Sequence, residues 1–136
     1  MRMICFKGHG SHGTVDYVVE HLPARVRNAL HTTLERGTAS PASISRILGE
    51  AVTEVDRAIT RDFQRLFPAG REEFVRLSDQ QIASAMRSRN GGYSKSVLRC
   101  MEGSTALLTL TDPSGTHLWV ANLGDCRAGK VFATMF

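Results

Sequence analysis

The sequence predicts an α/β (α+β) protein in which an antiparallel sheet is covered by long helices. Three observations lead to this prediction. Apolar residues recur at helical spacing through most of the stretch between Val15 and Leu66. From Ser104 onward the apolar period changes to two, which is typical of strands. Between two such runs, the segment Asp112-Pro113-Ser114-Gly115 fits a type I turn, so the runs are expected to form a hairpin.

The N-terminal half is predicted to contain a strand and then helices. Residues 3–6 form a short apolar run, and a glycine-rich loop follows over residues 8–13. A helix begins near Val15; Pro23 is expected to end it or to begin the next helix, which closes near Gly37. Ser40 and Pro41 have the types preferred at a helix start, and a long amphipathic helix is predicted over residues 41–67.

The C-terminal half is predicted to be less regular before the hairpin. Ser78 and Gln81 have the spacing of a capping box, which predicts a short helix reaching about Arg87. Residues 90–92 are expected to form a loop. The hairpin strands are predicted over 104–111 and 117–122, and a last strand over about 127–132. A chain of 136 residues is expected to form one domain, residues 1–136.

Composition narrows the class of partners. The chain has 17 basic and 13 acidic residues, a net charge of +4, and the arginines alternate with acids instead of clustering. This pattern indicates solvated helix surfaces and argues against a nucleic-acid partner. No apolar stretch approaches 18 residues, so no membrane partner is predicted. Three cysteines at unpaired spacings favour free, packed thiols in a reducing compartment, and the predicted location is intracellular, either cytoplasmic or in the mitochondrial matrix.

The loop after the first strand allows several interpretations when taken alone. Residues 8–13 match the G-x-G-x-x-G pattern of dinucleotide sites, although that site requires a second parallel strand soon after its helix. Cys5, His9 and His12 could ligate zinc, although a fourth ligand at suitable spacing is missing. A solvated loop without a ligand is a further alternative. The loop residues by themselves leave these alternatives open.

Two further motifs narrow the choice. The hairpin begins with Gly103-Ser104-Thr105-Ala106, and its second strand leads into Ala121-Asn122-Leu123-Gly124-Asp125-Cys126-Arg127. Together with Lys7-Gly8-His9-Gly10, and in this order, these motifs resemble the metal-dependent Ser/Thr protein phosphatases of the 2C type (the PPM family). Residues 16–23 are most similar to fungal phosphatases of the pyruvate dehydrogenase phosphatase type. The resemblance covers the N-terminal part of the family's catalytic domain, and it implies a partial α-β-β-α sandwich.

The resemblance also implies a chemistry and a set of roles. Members of the family hold Mg²⁺ or Mn²⁺ and activate a water molecule that attacks the phosphorus of a phosphoprotein substrate. By this resemblance, the backbone carbonyl of Gly8 would ligate a metal, His9 would protonate the leaving oxygen, and Asp125 would help to hold an additional, weaker metal. Lys7 stands where the family has an aspartate that bridges two metals, and the family's other ligands fall outside residues 1–136.

The substitution at Lys7 predicts that the chain does not hydrolyse phosphate esters by itself. An ammonium group would be repelled by two dications, so Mg²⁺ or Mn²⁺ binding is predicted to be weak or absent. The chain is therefore expected to be a fragment or a pseudophosphatase. An incomplete sandwich is also expected to expose strand edges and an apolar face, which favours self-association. A non-catalytic module that binds another protein is the alternative.

Overall fold

The computed structural model describes residues 2–10 and 12–127, with the backbone alone for residues 2–7 and 9. This part of the chain contains one three-stranded antiparallel sheet with the strand order β1-β2-β3, and five helices. The elements in chain order are β1 (Arg2–His9), α1 (Gly13–Glu35), α2 (Pro41–Gln64), α3 (Arg71–Phe74), α4 (Asp79–Met86), α5 (Lys95–Met101), β2 (Gly103–Thr111) and β3 (Leu118–Leu123). The predicted α+β class is confirmed. The strand predicted over 127–132 lies almost wholly outside the described residues.

The central strand β2 is paired on both sides. It is antiparallel to β1 and to β3, and β2 and β3 form the predicted hairpin. The turn that joins them closes with a hydrogen bond from the Gly115 N–H to the Asp112 carbonyl at 3.1 Å. Gly115 adopts a φ of 70°, a conformation that glycine enters without a steric penalty. The turn chemistry read from the sequence is therefore correct.

The helix α1 corrects one prediction. Pro23 was expected to end a helix or begin the next one, yet α1 runs without interruption from Gly13 to Glu35 with Pro23 inside it. An interior proline costs about 3 kcal/mol because it removes one backbone hydrogen bond and crowds the preceding turn. Val18, Leu22 and Val26 are buried on both sides of the proline. Each such buried side chain contributes about 1.5–3 kcal/mol, so together they outweigh the cost.

The helix α2 begins where the sequence predicted. The Ser40 hydroxyl accepts a hydrogen bond from the Ser43 N–H at 3.1 Å, and Pro41 occupies the first turn. The helix buries Leu48, Val55 and Ile59 on one face. Its outer face is charged and exposed. There Arg57 donates a hydrogen bond to Glu54, and this bond is the main reason that the pKa of Glu54 lies below its usual value. The helix ends at Gln64, three residues before the predicted end.

The hydrophobic core lies between the two long helices and one face of the sheet. Leu22 and Val26 of α1, Leu48 of α2, and Leu108 of β2 are its most deeply buried members. Trp119 and Ala121 of β3 pack against this core, which identifies the sheet face that the helices cover. On the alternate positions of β3, Leu118 and Val120 are 42% and 47% exposed. The described helices therefore leave apolar side chains of this edge strand in solvent.

Residues 68–96, all of them described, contain no buried residue. The predicted capping box of α4 is confirmed, since Ser78 and Gln81 exchange hydrogen bonds.

The helix α5 was not predicted. It is only seven residues long and has a single fully buried residue, Val97, so its sequence shows no clear helical period.

The hairpin turn provides a first testable prediction. The Asp112 carboxylate accepts hydrogen bonds from the Ser114 hydroxyl (2.6 Å) and the His117 N–H (2.9 Å), and it contacts His117 Nδ1 at 3.1 Å. These bonds, that of Ser114 above all, hold the pKa of Asp112 well below its usual value. A pKa that is lower in the folded state contributes stability above the unfolded pKa of about 3.9, and this contribution is lost as the pH falls further.

We therefore expect Asp112→Asn to be less stable than the native protein at neutral pH, because the amide keeps one acceptor oxygen and loses the charge. Urea unfolding at two pH values, one neutral and one well below the usual aspartate pKa, would measure the difference in free energy of unfolding between the two proteins. This difference should be smaller at the acidic pH. Asp79→Asn at the exposed start of α4 is a control. An unchanged difference between the two pH values would contradict the role assigned to the Asp112 carboxylate.

Candidate functional site

The three sequence motifs come together at one end of the sheet. Gly8 of β1 is paired with Ser104 of β2, and on the other side of β2, Ala106 is paired with Leu123. The pairing of β3 ends at Leu123, and the bend at Gly124 leads from there to Asp125. Because neighbouring strands lie about 4.8 Å apart, β1 and β3 run about 10 Å apart with β2 between them. The two loops thus flank the start of β2.

The bend after β3 is held by contacts with β2 and within itself. Gly124 has a φ of 93°, and a Cβ atom at this position would lie 2.7 Å from Cγ2 of Thr105. The Asn122 amide donates hydrogen bonds to the carbonyls of Gly124 (3.2 Å) and Cys126 (2.9 Å). Cys126 Sγ lies 3.1 Å from Thr105 Oγ1. These contacts fix the direction in which the chain carries Asp125 away from the sheet.

The loop after β1 is held by the end of α5. The buried Thr14 hydroxyl donates a hydrogen bond to the carbonyl of Arg99 at 2.9 Å, which joins the start of α1 to α5. The Glu102 side chain lies beside the loop: a Cβ atom on Gly13 would lie 2.8 Å from Glu102 Oε2, and one on Gly10 would lie 3.4 Å from Glu102 Cγ. A carboxylate at the start of a helix also interacts favourably with the helix dipole.

Sequence reasoning missed Glu102, and it named Asn122 as part of the motif at 121–127 without assigning it a role. Glu102 is separated from the loop by almost ninety residues, and no local pattern links them. Asn122 carried a signal, because asparagine amides often bond to backbone groups two residues away in turns. In the described structure its amide supports the bend.

The structure describes the side chains of some predicted site residues and only the backbone of others. Gly8 is half-buried in β1, and Asp125 is exposed. By register the backbone of Lys7 is opposite Thr105 and that of His9 is opposite Gly103. The side chains of Lys7 and His9 lie outside the described part of the structure, so their predicted roles stay predictions.

The predicted burial of the thiols needs a correction. Cys100 and Cys126 are free, as expected, but Cys100 is exposed and Cys126 is half-buried. Cys100 lies in the short helix α5, where the side that faces the core is occupied by Val97. An apolar neighbourhood in sequence therefore did not imply a buried side chain.

The described residues do not fit a pair of divalent metal ions. Among the side chains that the structure describes, no group of three or more histidine, cysteine, aspartate or glutamate residues could hold a metal. Mg²⁺ requires six oxygen ligands and usually takes at least one or two of them from carboxylates. Near this end of the sheet, Glu102 and Asp125 carry carboxylates that the structure describes. No catalytic step through a metal follows from this set of groups.

The alternatives for the first loop can also be compared with the fold. Dinucleotide binding required a parallel strand following α1, but β2 is antiparallel to β1 and follows four further helices. That alternative is therefore wrong. For the zinc alternative, His12 is exposed at the start of α1, while the side chains of Cys5 and His9 lie outside the described set.

Comparisons with protein-family models, curated proteins and solved structures find no match to this chain. Within the described residues, none of the helices has the length and apolar character needed to cross a membrane.

Asp125 allows a test that separates a binding role from a structural role. Its side chain is exposed and forms no hydrogen bond or ion pair with the described residues. We expect Asp125→Ala to change the free energy of unfolding by no more than about 0.5 kcal/mol, as is usual for surface positions without such contacts. Chemical unfolding of the two proteins measures this difference. Asn122→Ala is the comparison, and it should cost more because the bend loses two hydrogen bonds. A large loss for Asp125→Ala would assign Asp125 a structural role.

Proposed function

We propose that this chain is a fragment or a divergent member of the metal-dependent Ser/Thr protein phosphatases of the 2C type, and that it does not hydrolyse phosphate esters by itself. The observation that supports the proposal is that β1 and β3, which lead into the motifs at 7–10 and 121–127, pair with the start of β2 on its two sides. Motifs far apart in the sequence are adjacent in the fold, as a shared site would require.

The fold provides a second, weaker support. Two long helices packed on one face of an antiparallel sheet correspond to one half of an α-β-β-α sandwich. On the opposite face, Leu118 and Val120 of β3 are exposed, whereas Leu107 of β2 is buried. The proposal includes the narrower similarity to fungal phosphatases of the pyruvate dehydrogenase phosphatase type. It also includes a phosphoprotein as the substrate of the family.

The absence of activity is argued from Lys7. In the proposed site this ammonium replaces the aspartate that would bridge two metal ions. At an effective dielectric constant near 20, two unit charges about 4 Å apart repel by roughly 4 kcal/mol, and each dication doubles this figure. A neutral amine would avoid the repulsion, but one nitrogen cannot replace two carboxylate oxygens. Mg²⁺ or Mn²⁺ is therefore expected to bind weakly or not at all.

Calorimetric titration with Mn²⁺ tests this proposal, with the native chain compared with Lys7→Asp. We expect no binding at micromolar metal by the native chain and measurable binding by the variant, because the variant restores the bridging carboxylate. Lys95→Asp, at the exposed first residue of α5, controls for the change in net charge. Micromolar Mn²⁺ binding by the native chain together with turnover of a phosphopeptide would refute the proposal that the chain is inactive. If the native chain and both variants bind Mn²⁺ equally weakly, residue 7 does not occupy the position of the family's bridging aspartate.

A non-catalytic binding module is the second candidate, and the edge strand β3 favours it. In the described sheet β3 is an edge strand whose backbone can pair with a second copy of the chain, and its exposed Leu118 and Val120 add apolar surface to that contact. We expect concentration-dependent dimers in sedimentation experiments, and Val120→Lys should abolish them because lysine on an edge opposes strand pairing. Thr116→Lys, in the exposed turn, is the matched control. A native chain that stays monomeric at all concentrations would exclude this mode of association.

A further inference from the structure

A cleft of about 300 Å³ lies between α1, α2, α5 and the start of β2. Its inner wall is apolar and belongs to the core; the buried residues that line it include Val18, Leu22, Val55, Ile59 and Ala106. Its outer part is formed by exposed residues, among them Asp56, Thr60 and Cys100. An apolar interior with a few polar groups at the mouth is the usual composition of a small-molecule site, and this volume is at the lower end for such sites.

The charged groups at the cleft favour a cation. Asp56 forms no ion pair or hydrogen bond with any other described residue. Arg99 also lines the cleft, but its guanidinium is 3.5 Å from Asp62 and lies over the ring of Tyr17 at 4.3 Å, so it is already occupied. Glu102 adds a second carboxylate to the lining. Asp56 therefore remains available to a cationic ligand at the mouth of the cleft.

Two effects act on the thiol of Cys100 at the mouth of the cleft. Partial loss of hydration raises its pKa, and the negative charges of Asp56 and Asp62 raise it further. The first effect opposes a charge of either sign, whereas the two carboxylates oppose an anion in particular.

We propose that this cleft binds a small amphipathic amine, with its hydrocarbon part against the apolar wall and its ammonium group beside Asp56. The removal of apolar surface from water supplies the affinity, and the carboxylate selects the charge. A single ring or a short branched chain suits the volume. This proposal does not depend on kinship with the phosphatases, and no phosphate or metal takes part in it.

Three ligands that share one ring test the charge selection on the full chain: benzylamine, benzyl alcohol and benzoate. Thermal unfolding with each ligand at the same concentration should show the largest increase in Tm for benzylamine, because a ligand that binds the folded state raises its stability. The amine should bind up to about fivefold more tightly than the alcohol, the range of an exposed ion pair. Benzoate should bind most weakly. Equal effects of benzoate and benzylamine, or no effect of any ligand, would overturn the proposal.

Alkylation of Cys100 locates the binding. Because Cys100 lines the cleft, saturating benzylamine should slow its reaction with iodoacetamide severalfold, as followed by mass spectrometry of the peptides. Cys126, which does not line this cleft, is the internal control. If benzylamine raises the Tm but leaves the alkylation of Cys100 unchanged, the amine binds elsewhere and the proposal is wrong.

Two variants separate the charge from the apolar wall. Asp56→Asn should remove the preference for benzylamine over benzyl alcohol and leave alcohol binding unchanged, since Asp56 is exposed and its exchange does not disturb the core. Glu50→Gln on the same helix is the control, because Glu50 contacts Arg46 at 3.8 Å and does not line the cleft. Ala106→Ile should fill the cleft and abolish binding of both ligands. If Ala106→Ile does not fold, Asp56→Asn decides alone: an undiminished preference for the amine overturns the proposal.

Discussion

Replacing Leu108 with alanine is expected to destabilise the protein by about 2–5 kcal/mol, one of the two largest effects that we expect. Leu108 is 1% exposed at the centre of β2, and it belongs to the core that both long helices share. Truncation removes buried apolar surface and leaves a cavity that the surrounding strands and helices cannot close. Equilibrium unfolding in urea, followed by circular dichroism, measures the loss.

The same exchange at Leu110 is a matched control. Leu110 lies on the same strand and the same face of the sheet, but it is only half-buried. Its truncation should cost clearly less than that of Leu108. Equal costs at the two positions would mean that the core does not extend between β2 and the helices as described.

The second large effect is expected at Gly124. Alanine there would adopt a φ of 93° and place its Cβ atom 2.7 Å from Cγ2 of Thr105. The positive φ alone costs about 1–2 kcal/mol for a residue with a side chain. The forced displacement of buried Thr105 should add about 1–3 kcal/mol, the usual cost of overpacking. The free energy of unfolding of the native and variant chains tests this sum.

Gly115→Ala separates the two contributions. Gly115 also has a positive φ, of 70°, but a Cβ atom there meets nothing within 4 Å. Its exchange should therefore cost only the backbone strain. Thr105→Ser removes Cγ2, so combining it with Gly124→Ala should recover most of the steric part in a double-mutant cycle. Equal costs at the two glycines, or no recovery in the double variant, would contradict the close contact between the bend and β2.

Local chemistry made much of the fold predictable. The start of α2 follows from Ser40 and Pro41, the start of α4 from Ser78 and Gln81, and the hairpin from the turn at 112–115. Each of these signals involves residues within four positions of one another. The failure at Pro23 has the opposite origin. Local propensity favoured a break, and the burial of Leu22 and Val26 against distant elements decided for a continuous helix.

The candidate site was predictable to a smaller extent. The order of its motifs led to the prediction that Gly8 and Asp125 face one shared cleft, and this stays a prediction; the register shows that β1 and β3 lie on either side of β2. The positions of Glu102 and Thr105 beside these loops depend on how distant segments pack, which no spacing in the sequence encodes. The same limit applies to the cleft, since its walls come from three helices and the sheet.

The stretch between Phe67 and Val97 buries none of its own side chains, although these two flanking residues are both buried. Apart from Phe74, whose ring packs against that of Phe67 with 5.2 Å between centroids, this stretch can therefore be altered without opening the core. An engineer who needs a place for an affinity tag, a fluorophore or new chain termini should choose this stretch. Over evolutionary time, changes of length in the protein should accumulate here first.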